Sequence, residues 1–196
     1  MNRLDATRQL IAAIGNDPVI ASLGHPAYDL YAAADRPANF YTWGSMGLAT
    51  SIGLGLAMAR PDLRVFVVDG DGSLLMNLGS LATIGWVRPE NLVVIVWDNG
   101  EYGTTGGQPT ATAQGADIEA AARAMGAAQT ATVRDGEEFG AVVARARAMA
   151  GPWVIVAKIV ESPPQAKPPL DCVFIKQRFM AAIGAAEAAT RGGGTT

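Results

Sequence analysis

The sequence predicts an α/β protein: a single three-layer domain in which a mainly parallel sheet is flanked by helices. Two observations lead there. Strand-like apolar runs recur at residues 18–23, 65–68, 92–97, 128–133 and 153–159, and each interval between them holds a helix-compatible segment. That alternation is the pattern of a parallel sheet covered on both faces. The chain has 196 residues, 49% of them hydrophobic and 17% charged, which fills one such domain and is too short for two. Residues 1–186 are assigned to the domain, and residues 187–196, ending in Arg191-Gly192-Gly193-Gly194-Thr195-Thr196, to a disordered tail.

Taken in order, residues 1–15 read as a short amphipathic helix, without the apolar core or cleavage pattern of a signal peptide. Residues 46–60 are rich in Gly and Ala, including Gly53 and Gly55, which weakens an isolated helix but permits close packing on a neighbouring layer. Residues 74–86 place Leu74, Leu78, Leu81 and Gly85 on one helical stripe. Residues 100–115 hold five glycines and Pro109, too long and too glycine-rich for an ordinary βα connection. Arg123, Arg145 and Arg147 mark solvated faces of later helices. A proline-rich connector, 161–169, then leads to a final helix, 171–186.

Composition excludes several classes. A formal charge of −3, with Lys and Arg scattered, carries no footprint for nucleic acid. Cys172 is the single cysteine, so neither an internal disulfide nor a cluster held by cysteines of this chain can form, which fits a cytoplasmic location. No apolar run reaches the length needed to cross a membrane.

The candidate site rests on two loops. Gly70-Asp71-Gly72-Ser73 ends one apolar run, and Asp98-Asn99-Gly100 ends the next, with Asn99 lying 28 positions after Asp71. In an open parallel sheet both fall at the carboxyl edge, where ligands bind. A carboxylate, an amide oxygen and a backbone carbonyl are the hard donors that Mg²⁺ takes beside phosphate oxygens. Read separately, Asp71 also suits a helix N-cap and Asn99 a turn before glycine.

These loops, together with the strings GSMGLATSIGLGLAMARP, DGDGSLLMNLGSLATIG and DNGEYGTTGGQPT, resemble the thiamine-diphosphate-dependent decarboxylases. More narrowly, they are similar to the pyrophosphate-binding subunit of the sulfopyruvate decarboxylases and to phosphonopyruvate decarboxylases, over residues 18–160. The resemblance implies thiamine diphosphate and Mg²⁺ as cofactors. It assigns Asp71 and Asn99 as side-chain metal ligands and Glu101 as a backbone-carbonyl ligand. Gly70, Gly72 and Ser73 would meet the diphosphate at a helix start. Gly44 would offer its carbonyl to the aminopyrimidine, Ser45 belongs to the same turn, and Met46 would wedge between the two rings. Gly24 and His25 would contact the diphosphate. Tyr102, with Thr104, Thr105 and Gln108, belongs to the glycine-rich loop placed near cofactor and substrate.

The family also uses a glutamate in a pyrimidine-binding domain to relay a proton, and this chain has no room for that domain. No catalytic residue is therefore assigned here. The resemblance implies a pyrimidine-binding α partner, a hetro-oligomeric enzyme with a shared active site, and a 2-oxo acid substrate. A carboligase subunit, or a silent cofactor-binding or assembly subunit, is the alternative. Where sulfonate and phosphonate relatives carry a Ser-Arg pair, this chain has Ala27-Tyr28, which implies a substrate without a second strong anion. Trp43, before Gly44, suggests a less polar pocket.

Overall fold

The computed structural model describes residues 1–160 and 162–184. Six parallel strands form its main sheet: β1 (Val19–Ala21), β2 (Asn39–Tyr41), β3 (Val65–Gly70), β4 (Leu92–Asp98), β7 (Gln129–Val133) and β8 (Trp153–Lys158). Their order is β2-β1-β3-β4-β8-β7, so the chain runs outward in one direction from β1 and in the other from β3. Between β4 and β7, β5 (Glu101–Tyr102) and β6 (Gln108–Pro109) make a small antiparallel hairpin.

Strand side chains alternate between two cores, as the period of two requires. Phe66, Val68, Val93, Ile95 and Trp97 face α1 (Arg3–Ile14), α2 (His25–Ala33) and α7 (Gly136–Ala148). Val65, Val67, Leu92, Val94 and Val96 face α3 (Ala49–Ala59), α4 (Asp71–Met76), α5 (Gly79–Val87) and α6 (Ile118–Ala124). The last helix, α8 (Cys172–Ala182), straddles the layers, with Ile175 in the first core and Phe179 in the second.

All five expected strands are present, with ends shifted by one or two residues. The sixth, β2, was not foreseen: its Asn39-Phe40-Tyr41 begins on a polar residue and lies in no apolar run. The stripe expected over 74–86 is broken into α4 and α5 at Asn77, whose side chain donates to Ser51 Oγ at 3.1 Å. Leu78 falls at that break and is only half-buried. The glycine-rich helix begins at Ala49, not at residue 46, because Gly47 takes a φ of +85°, outside helical geometry. Gly53 makes its predicted close approach, since a Cβ there would lie 2.1 Å from Val67 Cγ2. Gly55 does not; it faces outward on the same side as exposed Leu48, Ile52 and Met58. Arg123, Arg145 and Arg147 are exposed, as expected. The final helix is described to Ala182, and the end of its expected span and the expected tail lie outside the described residues. Among the described residues no helix is long and apolar enough to cross a membrane.

Candidate active site

The direction of the chain changes between β1 and β3, and a cavity of about 550 Å³ opens there at the carboxyl edge. Ser22 and Leu23 reach it from β1, Gly70 and Asp71 from β3, Trp97 and Asn99 from β4, and Ile159 from beyond β8. Register explains the meeting of the two motifs. Gly70 pairs with Trp97 across adjacent parallel strands, so Asp71 and Asn99 leave the sheet side by side.

Of the residues singled out from sequence, His25, Met46, Gly70, Asp71, Gly72, Ser73, Asn99, Glu101 and Tyr102 line this cavity. Thr104, Thr105 and Gln108 of the hairpin line it too. Gly24, Gly44 and Ser45 do not line it. Gly24 caps α2, and Gly44 and Ser45 form the exposed turn that carries Met46. Trp43 is outside the lining as well, packed against Tyr28 at 6.0 Å and donating to the Pro169 carbonyl at 2.9 Å. It therefore cannot set the polarity of the cavity directly.

Asp71 is 2% exposed and occupies the first turn of α4, whose N-cap is Gly70, so the capping role that its sequence position allowed is not the one it fills. Its Oδ2 accepts hydroxyls from Thr110 and, at 2.8 Å, from Thr112. Thr112 also lies 2.9 Å from Oδ1 of Asp98, itself 4% exposed. Lys158 closes the chain by an ion pair with Asp98 Oδ2. Burial pushes the Asp71 carboxyl above the ordinary carboxylate range; the threonine hydroxyls oppose that shift, and the charge of Asp98 adds to it. Asn99 accepts the Glu101 amide at 3.1 Å, which shapes the turn into the hairpin. Tyr102 packs against α4, where a Cβ at Gly72 would come within 2.3 Å of its ring.

A second buried carboxylate, Asp69, holds the site together from behind. Its Oδ2 accepts Thr50 at 3.0 Å and its Oδ1 the Gly70 amide at 3.0 Å, and burial raises its pKa. The Ser73 hydroxyl accepts the Gly47 amide at 2.9 Å and meets Ser22 at 3.1 Å, so this side chain ties the Met46 turn to α4 and β1.

Sequence reasoning missed Asp69, Thr110, Thr112, Lys158 and Arg3. Arg3 lines the cavity although it belongs to the first helix; its Nε donates to Asp29 at 2.6 Å and its guanidinium to the Ser162 carbonyl at 3.0 Å. Only the doubled Asp-Gly of residues 69–72 offered a signal, since it sets Asp69 on the strand one step inside Asp71.

The donor set suits a small hard cation: a buried carboxylate and an amide oxygen from adjacent strand ends, with a raised carboxyl pKa that a positive charge would reverse. A Cβ at Gly70 would meet nothing within 4 Å, so the backbone there is open to an anion. Fold and site together define an open α/β domain with a ligand-sized cavity at its carboxyl edge. Residues 24–157 match the family model for the C-terminal TPP-binding domain of thiamine pyrophosphate enzymes, and the chain belongs to that family. It is 42% identical over 191 residues to the sulfopyruvate decarboxylase subunit beta of Methanocaldococcus jannaschii, covering 92% of this chain and 96% of that one. It is 40% identical over 154 residues to the phosphonopyruvate decarboxylase of Streptomyces viridochromogenes, covering 78% of this chain but 38% of the relative. Among solved structures, a putative thiamin diphosphate-dependent enzyme of Mycobacterium smegmatis matches with a TM-score of 0.72 at 24% identity, over 83% of this chain and 32% of that chain. That last likeness speaks to the fold.

Proposed function

We propose that this chain is the pyrophosphate-binding subunit of a two-component, thiamine-diphosphate-dependent 2-oxo acid decarboxylase that works as a cytoplasmic hetero-oligomer. The observation that carries the reading is the convergence of Asp71 and Asn99 from neighbouring strand ends on one cavity. Their side chains, with the Glu101 carbonyl, would hold Mg²⁺, and the metal would hold the diphosphate. Bound thiamine diphosphate supplies the electron sink for loss of CO₂ from a 2-oxo acid. Met46, on the turn fixed by Ser73, would support the bent cofactor, and His25 would contact its diphosphate. The hairpin carrying Tyr102 and Gln108 forms one wall of the cavity.

Glu101 is the only glutamate among the described residues that lines the cavity, and the reading assigns it to the metal loop through its backbone. The proton relay is therefore expected from a pyrimidine-binding α subunit. The test is turnover of a 2-oxo acid by the purified chain, alone and mixed with that partner. Activity should arise on mixing; robust turnover by the single chain would refute the two-component reading.

Substrate choice follows from the cavity wall. Ala27 and Tyr28, expected to face the substrate, are buried in the first core and do not line the cavity; Arg3 does line it, and its charge is matched by Asp29 at 2.6 Å. A 2-oxo acid without a second strong anion is favoured on that ground. Because a charged hydrogen bond contributes about 1.5–3 kcal/mol, selectivity should differ by roughly ten- to a hundredfold. Comparing kcat/KM for pyruvate, branched-chain 2-oxo acids, benzoylformate, sulfopyruvate and phosphonopyruvate decides it. A clear preference for either of the last two would overturn this choice and leave Arg3 as the residue to examine.

A further inference from the structure

The hydroxyls of Thr110 and Thr112 stand in an oxygen cluster that they cannot satisfy. Thr110 Oγ1 meets Asp71 Oδ2, Thr112 Oγ1 meets Asp71 Oδ2 at 2.8 Å and Asp98 Oδ1 at 2.9 Å, and the two hydroxyls lie 2.9 Å from each other. Each threonine has one hydrogen to give, and an ionised carboxylate has none. If Thr110 donates to Asp71, Thr112 can donate to Asp71 or to Asp98, but not to both. The remaining close pairs then set acceptor against acceptor, in a place where Asp71 and Asp98 are almost fully buried. A cation on Asp71 draws charge from the shared oxygen and relieves that repulsion, while Thr112 stays within hydrogen-bond distance of both carboxylates.

Lys158 fixes the far end of this chain of groups. It binds Asp98 Oδ2, and the Gly100 amide at 3.2 Å shares Oδ1 with Thr112. Thr112 itself lies in the 3₁₀ turn Ala111–Gln114, which ends the glycine-rich loop. The Thr110 amide is bonded to the Gly100 carbonyl at 2.8 Å, closing the loop at its base.

We propose that Thr112, oriented by the Lys158–Asp98 pair, is a positioning residue that sets the Asp71 carboxylate for the metal and latches the loop 100–114 to it. The proposal rests on the reading of Asp71 as a metal ligand. Groups one step behind a ligand typically change metal affinity by ten- to a hundredfold.

The experiment uses Thr112→Val, which keeps the side-chain shape and removes the hydroxyl, Thr112→Ser, which restores it, and Lys158→Met. Hydrogen exchange of the purified chain without metal reads the latch: amides over 100–114 should exchange faster in the Val variant and at the native rate in the Ser variant. Mn²⁺ binding by electron paramagnetic resonance, with thiamine diphosphate and the partner subunit present, reads the positioning. Affinity should fall at least about tenfold for Val, return with Ser, and fall by a smaller factor for Lys158→Met. Native exchange and native Mn²⁺ affinity in Thr112→Val would overturn the proposal, as would a Ser variant that behaves like Val. Asp71→Ala is the control. If it too binds Mn²⁺ at native affinity, the metal-site reading fails; if it alone loses Mn²⁺, that reading stands and only the role of Thr112 is lost.

Discussion

Asp71 and Glu119 each accept hydroxyls from two threonines spaced two positions apart, Thr110 and Thr112 in one case and Thr130 and Thr132 in the other, yet their carboxyl groups shift in opposite directions. Glu119 lies on the outer face of α6, with its side chain 18% exposed and Arg123 one turn away at 2.5 Å. Hydrogen bonds from Thr132, then Thr130 and Arg123, outweigh its burial and hold it below the ordinary range. Asp71 has the same hydroxyl pair, but burial dominates, its nearest charged neighbour is another carboxylate, and no ion pair reaches it among the described residues. Threonine hydroxyls alone do not settle a buried carboxylate. Glu119 is complete as a structural group, whereas the hydroxyls around Asp71 do not offset its burial.

The largest effect should come from removing Asp71. Asp71→Ala should lower CO₂ release by the assembled enzyme by more than the ten- to hundredfold typical of a supporting residue, with Asn99→Ala milder but of the same kind. Circular dichroism on both variants separates loss of the site from loss of the fold.

Next in size is a contrast of sign. Without metal, Asp71→Asn removes a buried, poorly compensated charge and should stabilise the chain by about 1 kcal/mol, a Tm rise of about 2–4 °C. Glu119→Gln removes a satisfied charge and should lower Tm by no more than about 2 °C. Thermal unfolding of the two variants tests the contrast, and shifts of the same sign would break it.

The smallest effect concerns pH. The folded-state pKa of Glu119 is depressed, so its contribution is present above the ordinary carboxylate range and is lost as pH falls through the lowered value. Denaturant titrations between about pH 3 and 6 should show a slightly shallower acid limb in Glu119→Gln than in the native chain. An unchanged limb would mean that solvent screening cancels the arginine and hydroxyl contacts.

How much of this could be read beforehand followed from range along the chain. The strand runs were visible because burial on both faces leaves a dense local apolar signal, and Asp71 and Asn99 were visible because adjacent parallel strands end together. Thr112 was not, since it lies 41 residues from Asp71 and meets it only when the loop folds back. Arg3 was invisible for a similar reason: its partner Asp29 belongs to the next helix, and nothing in an amphipathic pattern says that one polar residue turns inward. The break at Asn77 escaped because the contact that accompanies it is with Ser51 on another helix.

The central claim is that Asp71 binds the diphosphate through a divalent metal. Calorimetric titration of thiamine diphosphate into the assembled enzyme, with Mg²⁺ and with chelator, for the native chain and Asp71→Asn, tests it most directly. Tight binding is expected for the native chain with Mg²⁺, and at least about a tenfold loss when either the metal or the carboxylate is removed. Equal affinity in all four titrations would contradict it.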